Sequence, residues 1–210
     1  MMKMENISNA FTRVETGNVV LLCDPWTSKG IFHGGWSPFP PILDTEAPFK
    51  GVTHCFISHI HEDHCDYPAI EKLGRDTVML VPEIFPNHVI HNELGKRGFT
   101  DIRMIPLSKN TEIESGIMIE VVPPMNSWGT EVRRYEEDGL GPAAIDTGLI
   151  FDDGETKIVL LADNSPYNIS DAGLSADRMW GADIIAFPYN GFADDFPVCF
   201  DNFNLKQKRE

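Results

Sequence analysis

Residues 58–66 read Ser-His-Ile-His-Glu-Asp-His-Cys-Asp, so three of the chain's seven histidines and two acids occupy positions 59–64. In an extended chain, residues i and i+2 point to the same side, so His59 and His61 can converge on one point. A turn after Glu62 aims Asp63 and His64 at a neighbouring point, and two adjacent metal positions follow. Imidazole and carboxylate ligands suit Zn²⁺, Fe²⁺ and Mn²⁺. A position with fewer than four protein ligands leaves room for water, whose pKa the metal lowers to give a hydroxide nucleophile. A helix could not use this spacing, because helical metal pairs come at i, i+4. The competing reading is a solvated loop that binds nothing. Three rings crowded behind a buried strand repel one another once protonated, which disfavours it.

Such side chains need rigid elements behind them. Val52–Ser58 is an apolar run that leads straight into the cluster, and a second run, Val19–Cys23, ends at Asp24. Thr16-Gly17-Asn18 predicts a turn between Val19–Cys23 and a strand ending near Val14. Residues 25–44 form a Gly/Pro/Trp-rich loop, a length that a compact fold keeps when the loop covers something. Asp66 is placed to cap a helix over 67–73, a strand follows at Thr77–Val81, and a helix over Pro86–Lys96 closes at Gly98. Beyond Asp101 the pattern is strand-rich: 101–107, 116–122, 145–153 and 156–163, the last two joined by an Asp153-Gly154 hairpin turn. A helix over Asp171–Trp180, a strand over Asp183–Pro188 and the opening of a helix at Asn204–Glu210 complete the α/β pattern. A further element is expected beyond residue 210.

With 210 residues and 42% hydrophobic composition, one large domain spanning 1–210 is expected. Cys23, Cys55, Cys65 and Cys199 lack C-x-x-C spacing and read as reduced, mostly buried thiols. No stretch is apolar enough for a signal peptide or a membrane span, so a cytoplasmic protein with no membrane partner is expected. Seventeen Lys and Arg stand against 32 Asp and Glu, a net charge of −15, which repels nucleic-acid phosphates and favours a small-molecule substrate. Oligomeric state is left open.

The stretch 58–64 matches the H-x-H-x-D-H motif of the metallo-β-lactamase superfamily, at the end of a strand as in that family. Residues 23–26 (Cys-Asp-Pro-Trp) and 157–163 resemble the family's early and late strands, each ending in Asp. Within the superfamily, these segments and 145–164 most resemble the branch that contains L-ascorbate-phosphate lactonase and the corresponding domain of CMP-N-acetylneuraminate hydroxylase. The resemblance implies an αββα four-layer sandwich, here without its C-terminal elements. It implies His59 and His61 as ligands of a first metal, Asp63 and His64 of a second, Asp163 as a bridge, and Asp24 as a residue that orients a ligand. It also implies one or two divalent ions, Zn²⁺ first and Mn²⁺ or Fe²⁺ as alternatives. The activity implied is hydrolysis of an ester, lactone or phosphoester of a small metabolite by metal-bound hydroxide, with Asp63 or Asp163 taking the proton.

Two departures from the family pattern matter. No histidine follows His91, whereas the family supplies one in its second half for the first metal and a last one near its C-terminus. The first site is therefore incomplete, uses water, or recruits His33. A non-catalytic metal- or small-molecule-binding relative is the alternative function. Rieske-type oxidation does not carry over, because no cysteine has the C-x-H or C-x-x-H neighbours of such a cluster.

Among the remaining residues, Trp26, Phe32, Trp36 and Phe39 form either an aromatic wall over the cleft or ordinary loop packing. His54 reads as structural, His88 and His91 as a solvated helix face, and Cys65 as packing. Tyr189 reads as a core tyrosine, with Asn190 beside it, and the acidic run 136–138 as a solvated loop.

Overall fold

A computed structural model describes residues 1–84, 86–124, 146–164, 179 and 181–186. Two β-sheets pack face to face. The first runs β1 (Lys3–Ser8), β2 (Phe11–Thr16), β3 (Val19–Cys23), β4 (His54–Phe56), β5 (Val78–Pro82) and β6 (Ile102–Ile105), in that spatial order. Strands β1 to β3 are antiparallel, and β3 to β6 are parallel. The second sheet contains β7 (Thr111–Glu114), β8 (Ile117–Val122), β9 (Gly148–Asp152), β10 (Lys157–Leu160) and β11 (Ile184–Ala186), in the order β11-β10-β9-β8-β7.

Period-2 alternation explains why both sheets have an inner face. Val14, Leu21, Phe56 and Leu80 of the first sheet meet Ile119, Val121, Leu149 and Phe151 of the second in one buried cluster. The opposite face of the first sheet, with Leu22, Cys55, Ile57, Met79 and Val81, packs against Ile70, Ile90 and Leu94 from the helical connections. On the outer face of the second sheet, Ile150 and Val159 pack with Met179 and Ala182.

Three helical segments are short. α1 (Ile31–Gly34) is a loop turn with Phe32 and His33 in left-handed conformation. α2 (Tyr67–Ile70) is one turn, because Gly74 and the turn before it stop what the sequence predicts as a helix to residue 73. α3 (His88–Lys96) ends as predicted, with Gly98 at φ 87° and Phe99 N–H donating back to the Leu94 carbonyl.

The sequence predicts one strand ending near Val14 before the turn at 16–18, and leaves 108–115 as a connection. The structure makes β1 a separate strand, turned at Asn9 with φ 51°, and pairs β7 with β8. Asp66 does precede α2, but its side chain makes no cap. It accepts instead from Thr27 N–H and Ser28 N–H, both 2.8 Å, and from Ser28 Oγ at 2.7 Å, since the loop leaving β3 has donors with no strand partner. The expected helix over 171–180 (Met179 apart), the segment 204–210, the acidic run 136–138, Tyr189, Asn190 and Cys199 lie outside the described residues. No described helix is long and apolar enough to cross a membrane.

Cys23, Cys55 and Cys65 are free and buried, and burial pushes the Cys65 thiol up to about 12. The thiolate is the reactive form. A Cys199→Ser variant is therefore expected to release no chromophore from an aromatic disulfide reagent within minutes when folded, and three equivalents after denaturation.

Candidate metal centre

Ligands in open sheets gather where parallel strands end. The carboxyl end of β3 carries Asp24, and the neighbouring end of β4 carries Ser58 and the histidine turn. Asp24 is 2% exposed and sits at φ 47°. Its Oδ1 accepts from Ser58 N–H at 2.7 Å, and its Oδ2 accepts from Ser58 Oγ at 2.7 Å and lies 2.9 Å from His64 Nδ1. Asp24 thus contacts both His64 and the residue before His59. Ser58 Oγ also lies 2.9 Å from His59 Nδ1, leaving Nε2 of both His59 and His64 to face the opening.

The turn after Glu62 is present. The carbonyl of His61 accepts from His64 N–H at 3.0 Å and Cys65 N–H at 2.8 Å, which folds Asp63 and His64 back beside His59. His59 Nε2 and His61 Nδ1 are 2.9 Å apart, and the rings of His59 and His64 have centroids 4.1 Å apart.

The second sheet contributes from the same edge. β9 and β10 are antiparallel, so the start of β9 lies beside the end of β10. Thr147 Oγ1 donates to the Ser58 carbonyl at 2.8 Å, a carbonyl that Asn87 Nδ2 also reaches at 3.3 Å. Asp163 follows Ala162, whose φ of 49° turns the chain off β10. Its Oδ2 is 3.3 Å from His64 Nε2, and Asp63 Oδ2 is 3.5 Å from the same nitrogen. Gly148 permits the approach of β9 and β10, since a Cβ there would stand 2.9 Å from the Leu160 carbonyl oxygen.

Two groups result, each with ligand atoms within 4.8 Å of one another: His59, His64 and Asp163, and His59, His61 and Asp146. Asp146 is missing from the sequence reading, which takes residues 145–153 as a strand and searches the second half for histidine. A polar Asp-Thr pair before a glycine, in an otherwise apolar run, is the signal that marks it. His33, considered as a recruit for the first site, belongs to neither group. It is exposed, and the Glu62 carboxylate, accepting from Phe32 N–H at 2.7 Å, brings Phe32 rather than His33 towards His61, at a centroid distance of 6.4 Å. The aromatic wall is correspondingly smaller. Phe32 and Trp36 stack edge-on near the site, Trp26 is core, and Phe39 is exposed. His54 is buried beside Thr53, as a structural histidine should be.

Charge is divided unevenly among the rings. Burial, then the charge of His64, hold His59 well below the usual imidazole pKa despite Asp163 nearby. For His64 burial works against the charge, but Asp163 and Asp24 outweigh it and hold the ring well above its usual value. Burial likewise opposes ionisation of Asp163, and His64, followed by His59 and His61, overcomes it and keeps the carboxyl below the ordinary range. Asp63 Oδ1 is buried and makes no hydrogen bond among the described residues. A buried carboxylate oxygen without a donor is costly unless a cation satisfies it. That oxygen and the mixed imidazole and carboxylate donors fit a divalent metal.

No family model matches the chain. The UPF0173 metal-dependent hydrolase mll0680 of Mesorhizobium japonicum is 33% identical over 81 residues, which are 38% of this chain and 30% of that protein's length. Among solved structures, isothiocyanate hydrolase from Delia radicum gut bacteria superposes with a TM-score of 0.66 at 19% identity, covering 93% of this chain and 74% of the other. The metallo-β-lactamase fold protein YhfI of Bacillus subtilis gives 0.58 at 15% identity, covering 88% and 70%. Two packed mixed sheets, with the histidine turn at their shared edge, define an α/β metallo-β-lactamase sandwich. The chain has the metallo-β-lactamase fold of these structures, and part of it is similar in sequence to a protein named as a metal-dependent hydrolase.

Replacing Asp24 by Asn keeps its shape but removes the charge between Ser58 and His64. It is expected to lower metal affinity about 10–100-fold and stability by about 1–3 kcal/mol, read by metal titration and urea unfolding. Gly148→Ala is expected to cost about 1–3 kcal/mol, because backbone rather than a side chain must move.

Proposed function

We propose that this chain is a metal-dependent hydrolase acting on an ester, lactone or phosphoester of a small molecule. The observation that carries the reading is the convergence of His59, His61, His64 and Asp163 at one edge, beside Asp63, whose buried Oδ1 has no donor among the described residues. A divalent metal bound there supplies a Lewis acid and acidifies coordinated water. His59 and His61 would hold one position, and His64, Asp63 and Asp163 the neighbouring one. Asp24 orients His64 through Nδ1, and Ser58 orients His59 through Nδ1, so each ring presents Nε2.

Two carboxylates are placed to accept the proton from attacking water, namely Asp63 and Asp163. Asp163 is the more open to substrate, with a side chain 43% exposed against 13% for Asp63. Phe32, backed by Trp36, offers an apolar surface beside His61 for the carbon skeleton of the substrate. The similarity to proteins named as hydrolases supports this class of reaction.

The test is elemental analysis of chelator-free protein, comparing wild type with His61→Ala, followed by assays on a lactone, an aryl ester and an aryl phosphoester. Metal lost in the variant, with kcat/KM for at least one substrate reduced about 100-fold or more, is the expected outcome, since losing a Lewis acid costs several kcal/mol of transition-state stabilisation. A wild type that takes up no metal on reconstitution with Zn²⁺, Mn²⁺ or Fe²⁺, or that hydrolyses none of the three, sinks the reading.

A further inference from the structure

We propose that Asp146 supplies the third protein ligand of the first metal position, giving a two-histidine, one-carboxylate set with His59 and His61. This set biases the position towards Fe²⁺ and Mn²⁺ relative to a three-histidine set. The inference rests on the metal-site reading above and deepens it.

Three observations carry it. The first is distance. Asp146 Oδ1 is 3.7 Å from His59 Nε2, which is itself 2.9 Å from His61 Nδ1, and all three ligand atoms lie within 4.8 Å of one another. Ligands at about 2.0–2.2 Å from one ion stand about 3–4 Å apart when they are neighbours around it. The second is burial. Asp146 is 4% exposed at the mouth of an apolar strand, with the His59 ring beside it. Buried charges are paired or coordinate metals, and this carboxylate stands in one group with two imidazoles that share its reach. The third is positioning. Thr147, the next residue, is pinned by its hydroxyl to the Ser58 carbonyl at 2.8 Å, one residue before His59, and Gly148 seats β9 against the end of β10. One hydrogen bond thus fixes Asp146 relative to the histidine it faces.

The ligand chemistry follows from the donor count. Among the described residues, three imidazoles (His59, His61, His64) and three carboxylates (Asp63, Asp146, Asp163) surround the two positions. Carboxylate oxygen is a harder donor than imidazole, and two histidines with one carboxylate and open positions form the set typical of non-haem Fe²⁺. Absolute affinity still rises from Mn²⁺ and Fe²⁺ towards Zn²⁺ for most donor sets, so the readout is the change in preference when the ligand changes.

The test compares wild type, Asp146→Asn, Asp146→Ala and Asp146→His, each checked for folding by circular dichroism and loaded anaerobically with Mn²⁺ alone and with Mn²⁺ and Zn²⁺ in competition. Stoichiometry is read by elemental analysis and Mn²⁺ by electron paramagnetic resonance. We expect Asp146→Ala and the isosteric Asp146→Asn to lose one equivalent or to bind it about 100-fold or more weakly, beyond the effect of a supporting hydrogen bond. We expect Asp146→His to keep the wild-type stoichiometry while its Zn²⁺-over-Mn²⁺ preference rises about 10-fold or more. Wild-type stoichiometry and affinity in Asp146→Asn, or an unchanged preference in Asp146→His, overturns the assignment. His61→Ala separates the two readings. If it loses metal while Asp146→Asn does not, only this inference fails, whereas a wild type that binds no metal removes both.

Discussion

The Asp24 carboxylate, almost fully buried at the end of β3, joins the two ends of the histidine turn. One oxygen and then the other take the N–H and hydroxyl of Ser58, immediately before His59, and the second also faces His64 Nδ1. Removing a carboxylate from water costs several kcal/mol, and it is tolerated here because its oxygens are satisfied by short hydrogen bonds, which are stronger when the acceptor is charged. The left-handed backbone at Asp24 is part of the same arrangement: it ends the strand and swings the side chain under the neighbouring loop. Without this anchor, residues 58–64 would be a polar loop with no reason to hold three imidazoles together.

The second sheet is fastened to that anchor at one edge and to the first sheet at the other. Near the site, Thr147 donates to the Ser58 carbonyl. At the far edge, Thr16, at the end of β2, donates to Asp153 in the β9–β10 turn at 2.6 Å. The apolar faces between these ties bury Leu21, Phe56, Leu149 and Phe151. Hydrophobic packing holds the sheets together but is not directional. The two hydrogen bonds add the register that brings Asp146 and Asp163 to the histidines.

The resulting centre is electrostatically uneven. Burial and the neighbouring His64 push His59 towards its neutral form, whereas Asp163 and Asp24 favour the charged form of His64, the two rings lying 4.1 Å apart. Fold alone does not choose a substrate in a superfamily whose sites are set by ligands and loops. Here the loop after β3 is tied to the cluster from both sides, by Asp66 at residues 27 and 28 and by Glu62 at residue 32, so the surface offered beside the histidines is built from the same short motif.

Much of this was legible in the sequence. The histidine spacing, the strand before it, the Asp24 terminus, the Asp153-Gly154 hairpin and the close of α3 at Gly98 all follow from local rules, since side-chain periodicity and turn preference depend on residues a few positions apart. β7 was missed because Thr111–Glu114 is short and buries only Ile113, too little apolar content to read as a strand alone. Local rules make Asp66 a helix cap, the commonest use of such a residue before a helix, while its actual donors are 38 and 39 positions away. Asp146 lies 87 residues from His59, and its place beside that ring depends on how two sheets register. The sequence by itself determined the motif and the elements that carry it, because those rest on short-range geometry. Which carboxylates stand beside the histidines was decided only by tertiary structure, because the pairing of β9 with β10 and the tie from Thr147 to Ser58 set distances that no spacing along the chain encodes.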